Sequence, residues 1–113
     1  MATTPKTLAL VEITSTDLTT VYTAASGVNT SVSVLSFTNV TTTDQQIDIY
    51  INNAISDFLQ KTMTLPGGIG KERLYYGFQR KMINATYTIK VQASAATAFN
   101  VAIFGREIEI DGS

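Results

Sequence analysis

The only side chains in this sequence that could act as paired catalysts are carboxylates. Glu107 and Glu109 sit two residues apart on one face of an extended segment, and Asp44 and Asp48 flank a turn. Such pairs can hydrolyse a glycoside or hold a cation. Solvated residues at strand edges give the same spacing, and that plainer origin is preferred. His is absent, which removes the commonest general base and zinc ligand. Cys is absent as well, so there is no thiol nucleophile, thiolate metal site or disulfide. Ser and Thr abound, but none stands in a motif that would activate it. The chain is therefore expected not to be an enzyme, with no catalytic residues, no cofactor and no metal.

Two further motifs suggest ligands. Pro66-Gly67-Gly68-Ile69-Gly70 has the glycines of a phosphate loop. It lacks the Lys-Ser/Thr ending and a following amphipathic helix, so a hairpin loop is expected. Tyr75 and Tyr76, with Arg73, Arg80 and Lys81, could stack a sugar or single-stranded nucleic acid. Adjacent residues on a strand point to opposite faces. One tyrosine is then core, and the other lies at the surface or an interface.

The elements that would position these residues are all strands. Residues 1–6 read as a flexible arm, because Pro5 cannot join a sheet interior. Residues 7–113 form one domain. In Thr7–Ile13, Leu8 and Leu10 share one side while Ala9, Val11 and Ile13 share the other. Thr19–Ala24 is a short strand. In Thr30–Val40, Val32 and Val34 hold the apolar places until the phase slips to Leu35 and Phe37, which signals a bulge or a crossing between sheets. Gln46–Asn52 alternates cleanly, with Ile47, Ile49 and Ile51 on one face. Strands also read over Phe58–Leu65, Lys71–Phe78 and Ala85–Ala93. In the last, Ala98–Ile110, Phe99, Val101 and Ile103 face one way, and Ala102, Phe104, Ile108 and Ile110 the other. Gly105 marks a bulge or a close backbone approach. Seven or eight short strands with turns between them predict an all-β, antiparallel, jelly-roll-like β-sandwich.

Composition bears on partners. Eight basic and nine acidic residues give a net charge of −1, so there is no electrostatic footprint for nucleic acid. Charged residues are only 15% of the chain, and eighteen Thr supply much of its polarity. A neutral, Thr-rich surface is cheap to desolvate, which suits lasting protein–protein contact. No apolar run is long enough to span a bilayer, so no membrane partner is expected. The N-terminus lacks a signal-peptide stretch, and synthesis in a cytoplasm is expected. The first and last strands carry apolar residues on both faces, while a two-layer sandwich buries one face of each. The surplus face meets another subunit or is covered by the N-terminal segment. Candidate interface residues are Phe104, Ile108, Ile110, Leu8, Leu10, Tyr75 and Tyr76.

Several segments resemble small virion structural proteins of tailed bacteriophages. They are Val21-Tyr22-Thr23-Ala24 with Gly27, Val32 to Asn39, Met63-Thr64-Leu65-Pro66-Gly67-Gly68, Tyr87 to Ser94, and Phe104-Gly105-Arg106-Glu107-Ile108. The likeness covers about Thr19 to Ile110; Asn53–Phe58 and Gln79–Lys81 depart from it. It implies a β-sandwich virion component without catalysis. The favoured placement is a capsid decoration (cement) protein, a homo-oligomer with a trimer favoured, bound to the major capsid protein on the virion surface. A neck, tail or baseplate component is the alternative, as is a carbohydrate-binding host-attachment module with Tyr75 or Tyr76 as platform.

Overall fold

β-Branched and aromatic residues at alternate positions favour extended backbone, because their bulk packs well on a pleated surface. The computed structural model describes residues 3–68, 71–79, 81–95 and 99–109. They form nine strands: β1 (Thr3–Ile13), β2 (Thr19–Thr23), β3 (Val28–Asn39), β4 (Gln45–Asn52), β5 (Asp57–Leu65), β6 (Lys71–Tyr75), β7 (Met82–Ile83), β8 (Thr88–Ala93) and β9 (Phe99–Glu109). All pairings are antiparallel. One sheet runs β1-β9-β3-β6, with β7 also on β3; the other runs β2-β8-β4-β5.

The pairing is nested. β1 pairs with β9, β2 with β8, β3 with β6 and β4 with β5. One long antiparallel ribbon has rolled up, and β9 on β3 and β8 on β4 close the roll. This winding is a jelly roll, a form of the β-sandwich expected above. The core between the sheets includes Ile13, Leu35, Phe37, Ile47, Ile49, Ile89, Val91, Phe99, Val101 and Ile103, each fully or nearly fully buried.

Bulges decide which residues face that core, because one extra residue reverses a strand's parity. The register of β3 slips between Val32 and Val34, so Ser33 is the extra residue. Val32, Leu35 and Phe37 are buried as a result; the slip expected from the sequence is present, but it falls before Val34, which faces outward with Phe104 instead of inward with Val32. In β2 the register slips between Thr20 and Tyr22, and Val21 and Tyr22 are both buried. In β1 it slips between Thr7 and Ala9. That slip corrects the expected strand faces: Leu8 packs against the core, and Leu10 alone of the two faces outward.

Other boundaries also differ. Thr3–Lys6 belong to β1 and pair with β9, where an arm was expected. β1 is an edge strand, the place in a sheet where a Pro is tolerated. β6 stops at Tyr75, and the two-residue β7 pairs with Thr30 and Ser31 farther along the same β3 edge. β8 starts at Thr88 because Thr86 has φ 72°, which breaks the extended run.

Asn39 ties two turns together at the end of β3. It is fully buried, and its Nδ2 donates to the carbonyls of Thr43, Leu65 and Pro66 at 3.0, 3.3 and 3.1 Å. Its Oδ1 accepts from the Thr41 N–H and hydroxyl, both at 2.8 Å. The Gly67 N–H donates to Asp44 Oδ1 at 2.7 Å. Pro66, Gly67 and Gly68 are thus docked against the Thr41–Asp44 turn, and Ile69 and Gly70 lie outside the described residues.

Gly105 is a point of close approach. A Cβ there would overlap the Ser31 carbonyl oxygen, beside the β3 bulge. Overpacking of this kind costs roughly 1–3 kcal/mol. Gly105→Ala is expected to destabilise by about 3 kcal/mol, the upper end, since the obstacle is backbone; urea unfolding of the variant against the parent measures it.

Candidate interaction surface

In-register neighbours on adjacent strands point to the same face of a sheet, so the register orders the outer face of β1-β9-β3-β6 into rows. The first row is Glu12, Asn100, Thr38 and Glu72. The second is Leu10, Ala102, Ser36 and Leu74. The third is Thr7, Phe104 and Val34. The fourth is Arg106, Ser31 and Met82, and Ile108 follows beside Asn29. The two middle rows are largely apolar. Leu10 is 75% exposed, Leu74 43% and Phe104 38%. Val34, Ala102 and Ile108 are half-buried. A shallow groove of about 330 Å³ opens beside Ala102, rimmed by Leu10, Glu12, Ser36, Thr38 and Asn100.

The charges on this face are segregated by end. Glu12 and Glu72 lie in the first row, and Arg106 lies three rows away. Glu72 Oε2 accepts the Ser36 hydroxyl at 2.6 Å.

The outer face of β2-β8-β4-β5 is different in kind. Many of its polar groups pair with one another, although Thr88 Oγ1 has no hydrogen-bond partner and Leu59 is exposed there. Thr62 Oγ1 donates to Asp48 Oδ1 at 2.7 Å, and Asn52 Nδ2 to Asp57 Oδ1 at 2.7 Å. Lys90 Nζ lies 3.6 Å from Asp57 Oδ1. Gln92 Nε2 donates to the Thr16 carbonyl at 3.2 Å. This face is built to stay in water.

The interface candidates therefore separate. Leu10, Phe104 and Ile108 share the apolar outer face, and Leu8 has turned into the core. Ile110 lies outside the described residues. Tyr75 packs edge-to-face on Phe78, ring centroids 5.2 Å apart, while Tyr76 is exposed. Lys81 stands 5.9 Å from the Phe78 ring centre, and Arg80 lies outside the described residues. The two tyrosines thus form no joint platform.

The carboxylates are dispersed. Asp44 holds a loop N–H, and Asp48 faces outward on the second sheet. Glu107 Oε2 accepts the Tyr22 hydroxyl at 3.0 Å from the inner side of the first sheet. The sandwich itself separates Glu107 from Asp48. Among the described residues no group of three or more Asp or Glu could hold a metal ion.

Sequence reasoning missed the tip of the β4–β5 hairpin. Ile55 is 88% exposed there, with Phe58 and Leu59 also exposed nearby. Asn52 Oδ1 accepts from the Ala54 N–H at 2.7 Å, and Asn53 Oδ1 from the Ile55 and Ser56 N–H groups at 3.0 and 2.9 Å. Ala54 takes φ 75°. The signal was an apolar residue inside an Asn-Asn-Ala-Ile-Ser-Asp turn.

No family model matches the chain, and no curated protein matches it at a significant level.

Burial raises the Tyr22 hydroxyl above its usual pKa; the Thr30 hydrogen bond opposes this and the Glu107 carboxylate adds to it. Burial also raises Tyr75. Each is favoured neutral in the fold, so the stability they contribute is complete below the unfolded value of about 10. It is lost as pH rises through the folded values. Tyr22→Phe and Tyr75→Phe should each remove one late-ionising phenol from an ultraviolet titration and reduce the loss of stability above pH ~10.

Proposed function

We propose that this chain is a non-enzymatic structural protein of a phage virion, a capsid decoration (cement) subunit acting through protein–protein contacts. One observation carries the reading: the two outer faces of the sandwich are unlike. One is laced with side-chain hydrogen bonds around Leu59, and the other leaves Leu10, Leu74 and Phe104 to solvent with few such bonds among them. Exposed apolar patches of this kind mark interaction surfaces.

The sheet edges favour contact through faces. Pro5 and the bulge at Leu8 interrupt β1, and Lys61 with a register slip at Gln60 interrupts β5. Such features discourage strand addition at an edge. The jelly roll also serves viral capsid proteins, lectins and cupins. Fold alone therefore leaves function open, and the sequence likeness to phage virion proteins supports the capsid member of that set. A glycan platform has less support, since Tyr75 is turned against Phe78.

Each contact has modest affinity, and joined copies multiply it through effective concentration. A protein that binds only the assembled shell stabilises it by mass action. Capsids carrying the protein should therefore melt at a higher temperature than capsids stripped of it. Leu10→Asp should leave the isolated chain folded and reduce its binding to capsids at least tenfold. Equal capsid melting temperatures with and without the protein would remove the cement role. Labelling confined to the neck or tail of intact particles would move the protein there.

A further inference from the structure

The row order on the apolar face carries more than the existence of an interface. We infer that a second copy of this chain covers it, related by a two-fold axis running across the strands between the Ala102 and Phe104 rows. This deepens the reading above and rests on that face being an interface. With that axis, β9 lies over β9 and the strand ends exchange. Phe104 of each copy then stands over Ala102 of the other, at the groove of about 330 Å³ rimmed by Leu10, Ser36, Thr38 and Asn100. A large side chain meets a small one, which is what interdigitation of two sheet faces requires.

Charge selects this axis over the alternative. A two-fold axis parallel to the strands would lay the acidic row of one copy on the acidic row of the other. The crosswise axis instead lays Arg106 over the row that holds Glu12 and Glu72. Arg106 and Glu12 are both exposed, and neither has an ion-pair partner among the described residues. Opposite charges brought together at a rim fix register more than they add affinity.

The size is sufficient. Strands are roughly 4.8 Å apart and rows roughly 6.7 Å apart, so the four strands and the four rows that this axis pairs cover about 500 Å² per copy. Two copies would bury about 1,000 Å², the lower bound for a specific interface. The contact is isologous and closes at two copies. It thus departs from the trimer that the virion-protein likeness implies, and it leaves the Ile55 tip outside the contact.

Sedimentation equilibrium of the full chain at low salt tests the pairing. The parent should be a dimer, and Leu10→Asp a folded monomer. Arg106→Glu and Glu12→Arg should each weaken the dimer at least tenfold, and R106E/E12R together should recover to within threefold of the parent. A parent that stays monomeric at several hundred micromolar would overturn the pairing. So would a dimer indifferent to Leu10→Asp, or a double reversal no tighter than the single ones. Capsid binding separates this failure from that of the broader reading: a monomeric parent whose capsid binding is still lost on Leu10→Asp keeps the interface and loses only the second copy as its occupant.

Discussion

A sheet has two faces, and a sandwich of two sheets can dry only one of them. β9 sits inside the β1-β9-β3-β6 sheet with apolar residues in both parities. Phe99, Val101 and Ile103 fill the core, while Ala102, Phe104 and Ile108 look outward. Leu10, Val34 and Leu74 on the flanking strands extend the outward set. The second sheet shows the opposite arrangement, with Asp48, Asn52, Asp57 and Thr62 hydrogen-bonded outside Ile47, Ile49 and Ile51. One sheet's outer face is laced with hydrogen bonds from its own chain, and the other's leaves an apolar patch in solvent.

The rest of the structure keeps the outward residues of that face in register. The bulges at Leu8 and Ser33 bring β1 and β3 back into phase with β9, so that outward residues fall in rows. Without the slip at Leu8, that side chain would stand outside with Leu10, and the core would lose it. Gly105 lets the β9 backbone pass the Ser31 carbonyl at this point. Tyr22 crosses between the sheets and reaches Thr30 at 2.7 Å and Glu107 at 3.0 Å, pinning the far end of the sandwich. Asn39 does the same work at the opposite end, where two turns share its amide.

Much of this was legible in the amino-acid sequence, for local reasons. Alternation in Gln46–Asn52 and around Ile89 and Val91 fixed their inward faces, because a period of two admits one solution once a core exists. The slip from Val32 to Leu35 was readable because both phases are strongly apolar. The slip at Leu8 was not, since Leu and Ala are both apolar and either parity satisfies the pattern. The two-residue β7 carries too few positions for any period. Pro5 argued for an arm, and only its place on an edge strand makes it compatible with pairing. The surplus apolar face was visible in Phe104 and Ile108. Its extension to Leu74 and Val34, and its segregated charges, depended on register, which no single strand encodes. Tyr75 and Tyr76 separated because β6 ends between them, and Ile55 escaped notice because turns are read for their polar residues.

On this reading the outer face of β1-β9-β3-β6 is covered in the working assembly. Hydroxyl-radical footprinting of the protein in its native assembly, against the dissociated chain, tests it at single-residue level. Leu10, Leu74 and Phe104 should lose most of their reactivity on assembly, while Tyr50 and Leu59 of the other sheet keep theirs. Equal reactivity of Leu10 and Phe104 in the two states would contradict the account.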